Sequence, residues 1–189
     1  MEKHSNKINY LILFIVALII SVPLLKEGIN IGHDGEWHIA RVIGTVEQIT
    51  NGDEPFVISR FSDGFGFGWN LFYPPMSTVI NAIFFFLTND YFISMKLFIF
   101  ITFLFSGITM YRLVYTISNS KKAALISGII YMIAPYRLLD SYVRLAVGEM
   151  VSFIFIPMIF KGAYEIFKQE KSKINPSLIF GSIRINLIP

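Results

Sequence analysis

Apolar residues in this chain come in blocks separated by short polar punctuation, and the blocks fall into two kinds. Residues 8–25, 91–117, 123–139 and 151–167 are predominantly apolar, over lengths that cross or nearly cross a hydrocarbon core of about 30 Å at about 1.5 Å per residue. Residues 34–50 instead follow the helical period. Asp34, His38, Arg41, Thr45 and Gln48 fall on one face, and Trp37, Ala40, Ile43, Val46 and Ile49 on another. Asp34 stands where a carboxylate caps a first turn, and Gly52 can take the left-handed conformation that closes the last. Residues 75–88 are apolar but too short to span, and open on Pro74 and Pro75. These two segments read as interfacial helices, the first with its apolar side toward lipid. The pattern predicts an all-α polytopic membrane protein forming a single incomplete transmembrane domain of four spans.

Composition agrees. Hydrophobic residues make up 54% of the chain and charged ones 15%, with a mean hydropathy of +0.59, which belongs to the membrane class rather than to soluble domains. There is no Cys, so disulfides, thiolate metal sites and cysteine nucleophiles are excluded. A net charge of +3 argues for no nucleic-acid partner; its location is more informative. If 76–87 does not cross, the N-terminus, Lys121, Lys122 and the lysines of 168–173, Lys171 among them, all face the cytoplasm, as the positive-inside bias requires. The 26–60 and 140–150 loops then lie outside, bringing Asp34 and Glu149 to the same side. After Lys173 too few residues remain for another span, so the chain is expected to be the N-terminal part of a larger bundle, inactive alone.

Three stretches carry chemistry. GHDGEWHIAR (32–41) is the densest run of ionisable groups. FSDGFGFGWNLFYPP (61–75) alternates glycine with aromatics, as a folded interfacial loop would, and has neither the G-x-G-x-x-G spacing nor the P-loop lysine of a nucleotide site. DSYVRLAVGEM (140–150) supplies Arg144 and Glu149. Sugar transfer from a lipid phosphate needs a carboxylate to take or position the acceptor proton and positive charge to stabilise the departing phosphate. Asp34 and Glu149 are the candidate catalytic acids. Arg41, Arg144 and His38 are candidate phosphate contacts, and Asp34 with Glu149 could share Mg²⁺ or Mn²⁺. Plainer roles compete: Asp34 as a helix cap, Arg144 as the partner of Glu149 or of lipid phosphate, His33 and His38 as hydrogen-bonded interface residues, and Lys161 as a snorkelling charge within its span.

The order of span, outer loop with an early Asp, interfacial helix pair, Tyr-Pro-Pro element, further spans and a second loop with Arg and an acid resembles the N-terminal module of GT-C-type glycosyltransferases. In layout it is similar to the oligosaccharyltransferase catalytic subunit, and more so to bacterial YfhO-type proteins and "6-pyruvoyl-tetrahydropterin synthase-related" membrane proteins. The resemblance rests on HDGEWHIAR, FGFGWNLFYPP and YVRLAVGEM. It implies an essential carboxylate at Asp34 with Arg144 and Glu149 beside it, a polyprenyl-phosphate-linked sugar donor, and residence in a bacterial plasma membrane. The second loop has one acid where oligosaccharyltransferase has a paired acidic motif, and no His cluster supports pterin chemistry. The competing class is a non-catalytic polytopic protein, either a transporter component or a structural membrane partner.

Overall fold

The computed structural model describes residues 2–168, with side chains from Lys7 onward. The predicted placements of Lys171 and of the segment after Lys173 lie outside this description. Helices follow in the order α1 (Glu2–Ile20), α2 (Gly35–Asn51), α3 (Trp69–Phe72), α4 (Pro75–Thr88), α5 (Tyr91–Ser118), α6 (Lys121–Ile133), α7 (Pro135–Leu139) and α8 (Val147–Lys168). Among the described residues there is no strand, and a single antiparallel bridge joins Ile58 to Phe67.

α5 is the central post, packed against α1, α4, α6 and α8. Its inward positions Met95, Phe98, Ile99, Phe103 and Tyr111 join Leu13 and Ala17 of α1, Ala124 and Met132 of α6, and Met150 and Val151 of α8 in one buried core. α5 and α6 approach closely because the contact is made of small residues: a Cβ on Gly128 would stand 2.9 Å from the Gly107 carbonyl, and one on Gly107 would strike Met132. Leu11, Ile15, Ile19, Ile126, Ile130, Ile156 and Phe160 remain exposed on the outer surfaces, as expected of a bundle facing hydrocarbon.

The four-span expectation is met only in part. α5 and α8 are long and apolar enough to cross a membrane, and α6 with the segment after it makes a third candidate once a 42° bend between them is allowed. The bend falls at Pro135, which cannot donate to the preceding turn. The helix of the first apolar block stops at Ile20, and the block ends in a 3-10 turn, Val22–Leu25, with Pro23 inside it. α4 takes the predicted short form over Pro75–Thr88. The expected 140–150 loop is mostly helical: Asp140–Arg144 forms a π-turn closed by Leu145 in the left-handed region, and α8 begins at Val147 rather than 151.

Arg137 is fully buried and donates to Thr102 Oγ1 at 2.7 Å and Ser141 Oγ at 3.0 Å, between the rings of Phe103 and Phe153. Lys161, partly exposed, pairs with Glu165 one turn on at 2.6 Å.

Candidate active site

The polar stripe of α2 is real, but it faces protein. His38, Arg41, Thr45 and Gln48 are all buried, while Trp37 and Ile49 on the other side are exposed. The stripe is covered by the 55–74 segment. Arg41 Nε donates to Asn70 Oδ1 at 2.8 Å and its Nη2 to the Pro74 carbonyl at 2.9 Å, with the guanidinium 4.3 Å from the Tyr73 ring centroid. Asn70 Nδ2 donates in turn to Thr45 Oγ1 and the Pro55 carbonyl, and Gln48 Nε2 donates to the Val57 carbonyl. A hydrogen-bond network thus fastens the aromatic loop onto α2. Arg41, a candidate phosphate ligand, is 0% exposed beneath it; burial lowers its pKa to about 10.

Asp34 departs from its predicted cap role. It occupies the N-cap position of α2, but its side chain accepts no capping hydrogen bond, because its backbone is near the helical region rather than extended. Its carbonyl accepts from the His38 amide, and its own amide donates to the Arg144 carbonyl at 3.0 Å. The His33 amide donates to the Val143 carbonyl at 3.2 Å, and Asn30 Nδ2 to the Tyr142 carbonyl at 2.9 Å. The two loops, more than a hundred residues apart in sequence, are stitched edge to edge by backbone groups. Gly52 does take the left-handed cap conformation, with φ 80°.

This stitching creates a pocket of about 330 Å³ lined by Asp34, Trp37, His38, Trp69, Tyr73, Arg144, Ala146 and Glu149. Of the five sequence-nominated residues, four reach it and Arg41 does not. Arg144 is held by a fork: its Nη2 donates to Glu149 Oε1 at 2.8 Å and its Nη1 to Glu149 Oε2 at 3.1 Å. Tyr136 accepts from Arg144 Nη1 at 2.9 Å and donates to Glu149 Oε2 at 2.5 Å. Asp140, fully buried behind them, stands 3.5 Å from the same guanidinium. Such a fork is geometrically specific, yet the Arg144 side chain keeps 30% of its surface exposed. Among the described residues no three His, Asp or Glu side chains converge to hold a metal ion, and both Glu149 oxygens are engaged by Arg144, so the donor set does not fit the divalent cation considered from sequence.

Tyr136, Asp140, Trp37 and Trp69 were not singled out from the sequence. Tyr136 and Asp140 follow the Pro135 bend, and only the fold turns them toward Arg144. Tyr73, within the quoted Tyr-Pro-Pro element, accepts from the Gly148 amide at 3.1 Å, which ties the aromatic loop to the start of α8. Burial raises the pKa of Tyr73.

His38 packs its ring 5.1 Å from that of Tyr73. Burial, reinforced by Arg41, lowers its pKa from 6.5 to about 4. His38 therefore stays neutral in the folded chain over a range where the unfolded chain binds a proton. Stability falls as pH drops from 6.5 toward 4, by up to about 3 kcal/mol at about 1.4 kcal/mol per pK unit. Thermal unfolding in detergent should show this loss, and His38→Gln should flatten it; an unchanged slope in the variant would refute the assignment.

No family model matches the chain, and no solved structure matches it. A protein of Lactococcus lactis subsp. cremoris (strain MG1363), described only as "Uncharacterized protein", is 23% identical over 193 residues, covering 98% of this chain and 31% of its own length. The chain thus spans about a third of that relative.

Proposed function

We propose that this pocket binds the phosphate of a polyprenyl-phosphate-linked sugar and that the chain supplies the catalytic loops of a membrane glycosyltransferase. The observation that carries the reading is the pairing, in one pocket, of an uncapped Asp34 carboxylate with a partly exposed Arg144 guanidinium. Asp34 takes the acceptor hydroxyl proton as the acceptor oxygen bonds to the anomeric carbon. The bond from that carbon to the phosphate oxygen breaks, and its electron pair leaves with the polyprenyl phosphate, whose charge Arg144 offsets. Glu149 and Tyr136 act on Arg144 by fixing its orientation, and Arg41 acts by holding the aromatic loop. The cationic role rests with Arg144, and no step is assigned to a metal ion.

Binding tests this without requiring turnover. Geranyl phosphate should bind the purified chain in detergent, and Arg144→Gln should weaken it at least about tenfold, as expected for loss of a charge-assisted contact. Absence of geranyl phosphate binding would overturn the phosphate assignment.

The reading places the pocket at the outer face of a bacterial plasma membrane, with the N-terminus cytoplasmic, since that arrangement puts Lys121 and Lys122 inside. In this cysteine-free background, Ser120→Cys should react only after permeabilisation. Labelling by an impermeant reagent in intact cells would invert the topology.

One observation favours the transporter alternative: the α6–α7 break carries fully buried Arg137 and Asp140, and broken helices with buried charge line transport paths. Sugar-phosphate uptake into proteoliposomes, lost in Arg137→Gln, would favour it over transfer.

A further inference from the structure

Beside the charged pocket lies a second, open cavity of about 470 Å³ whose walls are Trp37, Phe61, Phe67 and Trp69, with Ser62 at its edge. Trp69 is its hub: its ring lies 5.7 Å from Trp37, 5.5 Å from Phe61 and 5.7 Å from Phe67. These rings are not spent on the core, since Trp37 is 63% and Phe67 45% exposed. The loop that presents them is fixed by the Ile58–Phe67 bridge and by the Arg41–Asn70 network below. Trp37 and Trp69 also line the pocket of Asp34 and Arg144, so the two cavities share a wall.

We propose that the aromatic cleft is a sugar-ring subsite, holding the pyranose of the ligand whose phosphate lies against Arg144. This rests on the phosphate reading of the neighbouring pocket and adds to it the position of the sugar. A pyranose has an apolar C–H face that stacks on aromatic rings and a hydroxyl edge that needs polar neighbours. The cleft offers both: four ring walls and the Ser62 hydroxyl at its edge, with the Arg60 guanidinium outside the lining, 5.3 Å from the Phe61 ring and paired with Glu47. A prenyl chain has no use for that polar margin. The shared tryptophan wall also suits a group bonded directly to the phosphate.

The chain has two tryptophans, and both stand in the wall shared by the cleft and the charged pocket, so tryptophan emission of the intact chain in detergent reports on the two together, and Phe67, which lines the cleft alone, tells them apart. Three probes separate the possibilities: geranyl phosphate bearing one hexose, geranyl phosphate itself, and the methyl hexoside. The hexose-bearing ligand should shift tryptophan emission and bind about tenfold more tightly than geranyl phosphate, the loss typical of one well-placed aromatic contact. Phe67→Ala touches the cleft and not the charged pocket, and should bring that ratio close to one. Arg144→Gln should weaken both phosphates and preserve the ratio. Equal affinities and equal emission shifts for the two phosphates would assign the cleft to the prenyl chain and overturn the proposal. So would loss of the hexose response when the protein is moved into phosphatidylglycerol vesicles, which would make the rings a membrane contact. If neither phosphate binds but the methyl hexoside still shifts the emission in a Phe67-dependent way, the phosphate reading fails and the sugar subsite stands; silence from all three removes both.

Discussion

Asp34→Asn should lower glycosyl transfer by about 10²–10⁴-fold, the range expected for removal of a positioned general base, in the polypeptide that carries this chain in the cell. The substitution changes one oxygen to an amide nitrogen and leaves intact every backbone bond that docks residue 34, because those bonds use its amide and carbonyl. Nor does it disturb a cap, since the carboxylate makes no capping hydrogen bond. Expression, detergent stability and geranyl phosphate affinity should therefore remain close to those of the parent chain, with the loss confined to turnover. Transfer within about threefold of the parent would remove the base role, whatever binds in the pocket. Glu149→Gln should behave differently. It removes the carboxylate that forks Arg144 and is hydrogen-bonded by Tyr136, so geranyl phosphate affinity should change along with rate. The two acids share a pocket but differ in what they touch, and this pair of variants separates their roles.

The elements were more legible in the sequence than their partners. Periodicity placed α2 and α4 within a residue or so of their observed ends, because an amphipathic stripe and a Pro-Pro start are local signals. Periodicity could not say which surface would cover the stripe. The polar stripe of α2 is buried, covered by a loop of high aromatic content whose single Asn70 satisfies Arg41, Thr45 and the Pro55 carbonyl together, while Val42 and Val46 are buried against Ala82 of α4. Nothing in the spacing of Asn70 announces that. The break at Pro135 was likewise hidden inside an apolar block and the π-turn after it inside a stretch that reads as a loop, and they bring Tyr136 and Asp140 to Arg144. Asp34 and Glu149 were nominated from residue type and inferred sidedness. The missing piece was the backbone seam that joins their loops, since main-chain pairing leaves almost no trace in side-chain identity.

Gly32 is the one residue type that does betray the seam, and Gly32→Ala should open it. At Gly32 φ is +58°, and an added Cβ would stand 2.2 Å from the Val143 carbonyl oxygen and 2.9 Å from its carbon. Both contacts are with backbone, which cannot rotate aside as a side chain would, so the 30–34 strip must lift from 142–144. Strain at a left-handed non-glycine residue and overpacking each cost about 1–3 kcal/mol. The three hydrogen bonds from Asn30, His33 and Asp34 are at stake, each contributing about 0.5–1.5 kcal/mol net. Most of the core around α5 is made by the long helices, with Ile29, Tyr142 and Leu145 joining it beside this strip, so the expected result is centred on the seam: faster amide exchange at His33 and Asp34, and loss of geranyl phosphate binding, with little change in overall helicity. Gly28→Ala is the matched control, because Gly28 also has positive φ, +67°, but nothing within 4 Å of the added Cβ. It shares the strain and lacks the clash, and should retain binding. If Gly32→Ala and Gly28→Ala behave alike, the seam does not hold Asp34 against Arg144, and the pocket owes its shape to some other contact.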